Sequence, residues 1–141
     1  MIMRPRPELE IREILPSDME AARRLLQAAG WVGAVSEPAR FRELLSRSQR
    51  ALVAVEHGEI VGFLRALTDG MENGYISMLA VAESHRRKGI GSALVAHVTS
   101  GSPEITWVLR AGREGAAEFF AKLGFSASPL AMQRVRRQSG T

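Results

Sequence analysis

The 141-residue sequence contains no cysteine. Disulfides and thiolate metal sites are therefore excluded, no metal is expected, and nothing speaks for an oxidising compartment. No apolar run approaches the roughly 20 residues needed to span a bilayer. The opening "MIMRPRPELE" lacks the apolar core of a signal peptide. These absences lead us to expect a cytoplasmic protein with no membrane partner. Aromatic residues make up only 6% of the chain. That leaves no evident platform on which nucleic-acid bases would stack. There is also no helix with clustered base-reading side chains, no internal repeat, no low-complexity tract and no long linker.

The chain does have an excess of positive charge, with a net charge of +4 and a pI near 10.6. Such a balance suits an anionic partner. Arg4 and Arg6 lie in a proline-rich start, and Arg134, Arg136 and Arg137 lie at the end. Terminal arginines of this kind read as solvated charge, and a nucleic-acid partner is not expected. The third cluster, Arg86 to Lys88, sits inside a patterned stretch. The length suits one compact domain spanning 1–141, with flexible ends at 1–8 and 137–141.

"LEIRE" alternates and predicts a first strand. Ser17 with Glu20 forms a capping-box pattern, which predicts a helix to about Ala29, closed by Gly30. "WVGAVSEP" reads as a loop, and Ser36 is expected to cap a second helix with Pro38 in its first turn. "ALVAVE" and "IVGFLRAL" flank the tight turn "HGE" and predict an antiparallel hairpin. "YISMLAV" shows little polar alternation and predicts a central strand covered on both faces. Ile90, Ala93, Leu94 and Val98 have helical spacing. "EITWVLR" predicts a second buried strand, and Ala116 to Leu123 a helix stopped by Gly124. "LAMQRVR" predicts a last strand. The order is β-α-α-β-β-β-α-β-α-β. The fold class is α/β with a mixed sheet, antiparallel early and with a central parallel β-α-β unit.

Between "YISMLAV" and the following helix lies "RRKGIG". A helix N-terminus presents free backbone N–H groups and a partial positive charge. Gly89 and Gly91 let an anion approach that backbone, and Arg86, Arg87 and Lys88 add full charges. The chemistry suits a phosphate or pyrophosphate. A glycine turn in a solvated basic loop would leave the same pattern. The Walker loop does not fit, because Gly91 is followed by Ser-Ala rather than Lys-Ser or Lys-Thr. Nor does the dinucleotide fingerprint, which needs three spaced glycines after the first strand of its unit.

The stretch resembles the acyl-CoA-binding core of the GNAT superfamily of N-acyltransferases. That core has Arg or Gln, two residues, Gly, one residue, then Gly or Ala, directly after a strand ending like "LAV". Arg86, Gly89 and Gly91 occupy those positions. "EFFAKLGF" at 118–125 is similar to the family's late helix and its terminal Gly-Phe, and the element order matches across the whole chain. The resemblance implies that acetyl-CoA is co-substrate. Its pyrophosphate would rest on Arg86, Arg87, Lys88, Gly89, Ile90 and Gly91, with Ser92 adjacent. Its pantetheine arm would lie along the backbone of Leu79, Ala80 and Val81. The implied activity is transfer of an acetyl group to a primary amine on a small molecule or protein.

That reaction needs a neutral amine. A lysine-like ammonium at pH 7 is only about 0.04% neutral, a deficit of roughly 4.6 kcal/mol. A base must help remove the proton, and the oxyanion needs N–H donors. The sequence departs from the family at its titrating positions. A late-helix tyrosine that would protonate the thiolate is replaced by Phe120, beside Phe119. A strand glutamate of the protein-lysine branch is replaced by Tyr75. An asparagine at the start of the late helix is replaced by Arg113. No catalytic base is assigned; Tyr75 and Glu72 are the candidates. His57 lies in the hairpin turn, His97 on an exposed helix face, and His85 beside the phosphate turn. Trp31 stands where an acceptor pocket or a core plug is equally in keeping with the pattern. The alternative to an enzyme is an acyl-CoA-binding sensor or regulator with little turnover. A C-terminal strand after "LGF" could pair across a homodimer.

Overall fold

A computed structural model describes residues 8–137 of the chain. They form two compact units, one up to Arg110 and one from Ala111 onward. The flexible ends expected at 1–8 and 137–141 fall mostly outside the described residues.

The first unit is a five-stranded sheet with helices. Its strands are β1 (Leu9–Glu13), β2 (Arg50–Glu56), β3 (Glu59–Thr68), β4 (Asn73–Val81) and β5 (Thr106–Leu109), and they lie side by side in that order. The first four are antiparallel neighbours, and β4 pairs with β5 in parallel. The helices are α1 (Met19–Ala28), α2 (Pro38–Ser46) and α3 (Ile90–Thr99). The expected mixed sheet with its parallel β-α-β unit is present, with α3 as the crossover between β4 and β5.

The hairpin between β2 and β3 turns on two residues, His57 and Gly58, with φ of 51° and 77°. Positive φ at both central positions is the type I′ turn, whose twist matches that of the flanking strands. Ala22 and Leu26 of α1 and Phe41 and Leu45 of α2 pack with Val53, Phe63, Met78 and Ala80 of the sheet. On α3, Ile90, Leu94, Val95 and Val98 are buried. Its contact with the sheet is close at Gly62, where an added Cβ would stand 3.0 Å from Leu94 Cδ1 and 3.1 Å from both Ile90 Cγ2 and Ala54 Cβ.

Four expectations for the first unit need correction. The start of α1 is not capped by Ser17 and Glu20. A 3-10 turn at Pro16–Asp18 leads in, and the Asp18 carboxylate accepts the N–H of Leu15 at 2.7 Å, while Glu20 pairs with Arg23 and Arg24. Pro38 does open α2, but the capping position is Glu37, not Ser36. β4 alternates between buried and half-buried residues, so only one of its faces is fully covered. β5 is half-exposed rather than buried, with Val108 44% exposed. It is short and, among the described residues, hydrogen-bonded to a strand on one side only.

The second unit contains α4 (Ala116–Ala121), which ends at Gly124 with φ of 96°. Phe120 is buried between Phe119 and Phe125, with edge-on ring contacts at centroid distances of 4.9 and 5.5 Å. The expected last strand in "LAMQRVR" is not formed, because no strand pairs with it among the described residues. Leu130 and Met132 there are 88% and 97% exposed. A strand with neither a ladder partner nor a covered face has nothing to hold it.

Candidate functional site

The site begins where β4 and β5 part. Their ladder runs only from Asn73↔Thr106 to Ile76↔Leu109, while β4 continues to Val81 and stays paired with β3. Ala82 donates its N–H to the Val61 carbonyl at 2.8 Å. Backbone groups alternate sides along a strand. Ala80 therefore turns toward β3, while Leu79 and Val81 turn toward the side that β5 has left. Of the three expected contact residues, Leu79 and Val81 have the free edge. Arg86 Nε already caps the Val81 carbonyl at 3.3 Å.

A 3-10 turn at Glu83–His85 and the basic loop follow. Arg86, Arg87, Lys88 and Gly89 are all exposed, Ile90 and Gly91 are buried in the first turn of α3, and Ser92 is half-buried. Gly89 is the residue before the helix, with φ of 81°, and nothing lies within 4 Å of a Cβ built on it. Arg87 also has a positive φ, 63°. A non-glycine residue held there costs on the order of 1–3 kcal/mol and persists only where its surroundings enforce it. The loop thus wraps exposed charge and backbone N–H groups around the start of α3, which is the arrangement an anion requires.

His85 turns the other way. Its Nε2 lies 3.4 Å from Oε1 of the buried Glu56, and its Nδ1 is 2.8 Å from Ser84 Oγ. This contact ties the basic loop to the end of β2. Ser84 and His85 help line a cavity of about 480 Å³ with Arg12, Asp18, Glu59 and Ile60.

At the other end of the opening, Tyr75 is half-buried and its hydroxyl accepts a hydrogen bond from Arg110 Nε at 2.9 Å. Glu72 is exposed in the turn before β4, where its carbonyl accepts the Thr106 N–H at 2.8 Å. That turn is folded by Asp69, whose carboxylate accepts N–H groups from Met71, Glu72 and Asn73, and these bonds lower its pKa. Trp107 lies over Gly74, leaving no room there for a Cβ. Trp31 packs against the core of the first unit, which favours the plug. His57 and His97 are exposed, away from any ion pair or side-chain hydrogen bond among the described residues. No three acidic or histidine side chains cluster to hold a metal ion among the described residues. No helix there is long and apolar enough to cross a membrane.

Sequence reading missed Arg65. It lies in β3, is 8% exposed, and donates from Nε to Ser48 Oγ at 2.7 Å and from Nη1 to Ser77 Oγ at 2.8 Å. The available signal was a single charge inside the apolar run "IVGFLRAL". It also missed Glu56 and Arg110, which look from sequence like ordinary strand-end charges.

The described geometry can be set beside known proteins. An acetyltransferase of the GNAT family from Streptococcus pneumoniae has a similar structure, with a TM-score of 0.74 and 26% identity over 92% of this chain and 98% of that one. Ard1 from Thermoplasma volcanium superposes with a TM-score of 0.72 and 27% identity, over 86% and 84% of the two chains. A ribosomal-protein-alanine N-acetyltransferase from Brucella melitensis shares the fold at 21% identity and a TM-score of 0.70, over 92% and 99%. No curated protein sequence matches the chain. The family model described as an acetyltransferase (GNAT) domain matches residues 47–127. That span takes in the hairpin, the open strand, the basic-glycine turn and α4, and through it this chain belongs to the GNAT acetyltransferase family.

Proposed function

We propose that residues 1–141 act as one domain and transfer an acetyl group from acetyl-CoA to a primary amine. The observation that carries this is the free edge of β4 running directly into the exposed basic turn at the start of α3. In this reading the pyrophosphate rests on Arg86 to Ser92, and the pantetheine arm lies against Leu79 to Val81. Backbone N–H groups there supply a donor for the oxyanion of the acyl transfer. Tyr75 and Glu72 remain the candidates for assisting proton removal. The acceptor approaches the end of the opening near Tyr75.

Phe120 favours a second reading, a sensor that binds acyl-CoA and releases nothing. One pair of measurements separates the two. Acetyl-CoA at 100 times its dissociation constant should stabilise the protein by about 2.7 kcal/mol, a shift on the order of 10 °C. Thiol release with a panel of amines should then exceed release without amine. Stabilisation without release selects the sensor, and no stabilisation at millimolar acetyl-CoA removes both. Charge reversal at exposed Arg87 and Lys88 should abolish the shift while leaving the circular dichroism unchanged.

A further inference from the structure

Among the described residues of the first unit, three charged side chains are buried: Asp18, Glu56 and Arg65. Asp18 faces Arg12 at 2.6 Å, and Glu56 faces His85. Arg65 is as buried as Asp18, yet the side chains it bonds are two neutral serines. Among the described residues, no carboxylate forms an ion pair with it. Burial accordingly lowers its pKa, opposed only by the nearby Tyr75. A guanidinium stays protonated in proteins. A buried charge without a counter-charge is costly, and hydroxyls only partly offset that cost.

The position of Arg65 is informative. Ser77, which holds Nη1, is the first residue of β4 beyond the last pair with β5, Ile76↔Leu109. Arg65 is thus anchored where the two strands part. Tyr75, two residues back, holds a second guanidinium, that of Arg110, by its hydroxyl. If the coenzyme lies as proposed above, this is the acceptor end of the opening. We infer that the acceptor is a small amine carrying a carboxylate, of amino-acid type, and that Arg65, steadied by Ser48 and Ser77, receives that carboxylate. A guanidinium fork matches a carboxylate in geometry as well as in charge. The carboxylate would supply the missing counter-charge, and holding it fixes the distance from the amine to the thioester.

The inference rests on the transferase reading for its location, so the test reads binding separately from turnover. With coenzyme A present, the affinities of N-acetyl amino acids and of their carboxamides are measured by saturation-transfer NMR. Thiol release from acetyl-CoA is measured with the matching free amino acids and amino-acid amides. At least one acid should bind tenfold or more tightly than its amide, and the same amino acid should be the better acceptor. Ser77→Ala, which removes one anchor without removing the charge, should reduce that preference several-fold. Arg65→Lys should reduce it further, because the fork is lost. Equal or better binding of the amides throughout overturns the inference, as does no binding by either series. So does a preference unchanged in both variants. Amide acetylation without acid binding would overturn it while leaving the transferase reading standing. Acid binding without any thiol release would do the reverse.

Discussion

Single residues decide most at the ion pair of Arg12 and Asp18. The Asp18 side chain is 10% exposed, accepts from Arg12 at 2.6 and 3.2 Å, and also accepts the Leu15 N–H. Its hydrogen bonds with Arg12 lower its pKa, against the opposing effect of burial. A carboxylate whose folded pKa lies below its unfolded value of about 3.9 stabilises the fold above that pH. The contribution is lost as pH falls through the folded pKa. Asp18→Asn should therefore lower stability by about 1–3 kcal/mol at pH 7, since it removes the carboxylate that Arg12 bonds most closely and leaves it only the longer contact to Glu10 at 3.6 Å and a bond to the Glu13 carbonyl. The gap between variant and wild type should begin to narrow as the pH drops below about 4 and close once it falls below the folded pKa. Denaturant melts at pH 7 and pH 3 check this, and a gap as wide at pH 3 as at pH 7 would assign the loss to packing. None of this pair was legible in the sequence, where Ser17 and Glu20 offered a better-known capping pattern. Capping-box spacing is short-range, whereas the partner of Asp18 comes from the preceding strand. Arg65 escaped for a similar reason, because its burial depends on Ser48 and Ser77 in distant segments.

Among the elements, β4 and α3 matter most, and they were the most legible. The apolar run, the two glycines of the basic turn and the helical spacing of Ile90, Leu94 and Val98 are local signals that agree with one another. Elements that depend on a distant partner were less legible: β5 came out half-exposed, and "LAMQRVR" has no strand beside it among the described residues. The seat of α3 on the sheet was also hidden, because it depends on the absence of a side chain at Gly62. Gly62→Ala would press a methyl against Leu94, Ile90 and Ala54 at 3.0–3.1 Å. Overpacking of this kind costs about 1–3 kcal/mol. Since Ile90 begins the helix that the basic turn leads into, the displacement should also reach the proposed phosphate seat. We expect Gly62→Ala to lower the melting temperature and to weaken coenzyme A binding several-fold by calorimetry. A destabilised variant with unchanged affinity would show that the turn holds its shape independently of how α3 is seated.

For the whole molecule, the net charge of +4 bears on how an anion finds its site. Arg86, Arg87 and Lys88 are exposed, and the terminal Arg134, Arg136 and Arg137 are exposed too. A general basic character and a local site make different predictions about salt. Exposed charges are screened over about 10 Å at 0.1 M ionic strength and about 3 Å at 1 M. A coenzyme held by the turn should lose affinity as salt rises, but only in part, because backbone N–H groups at a helix start hold a phosphate at contact distance. Long duplex DNA drawn to diffuse charge should lose nearly all its affinity over the same range. We therefore expect coenzyme A affinity to fall several-fold between 50 and 500 mM salt and then level off. DNA should fail to compete at 150 mM. Charge reversal at Arg134 and Arg136 should leave coenzyme affinity within twofold, while reversal at Arg87 and Lys88 should remove both the affinity and its salt dependence. If the terminal arginines proved equally important, the positive charge would be acting as a diffuse field and the turn at Gly89 would not be the seat of the phosphates.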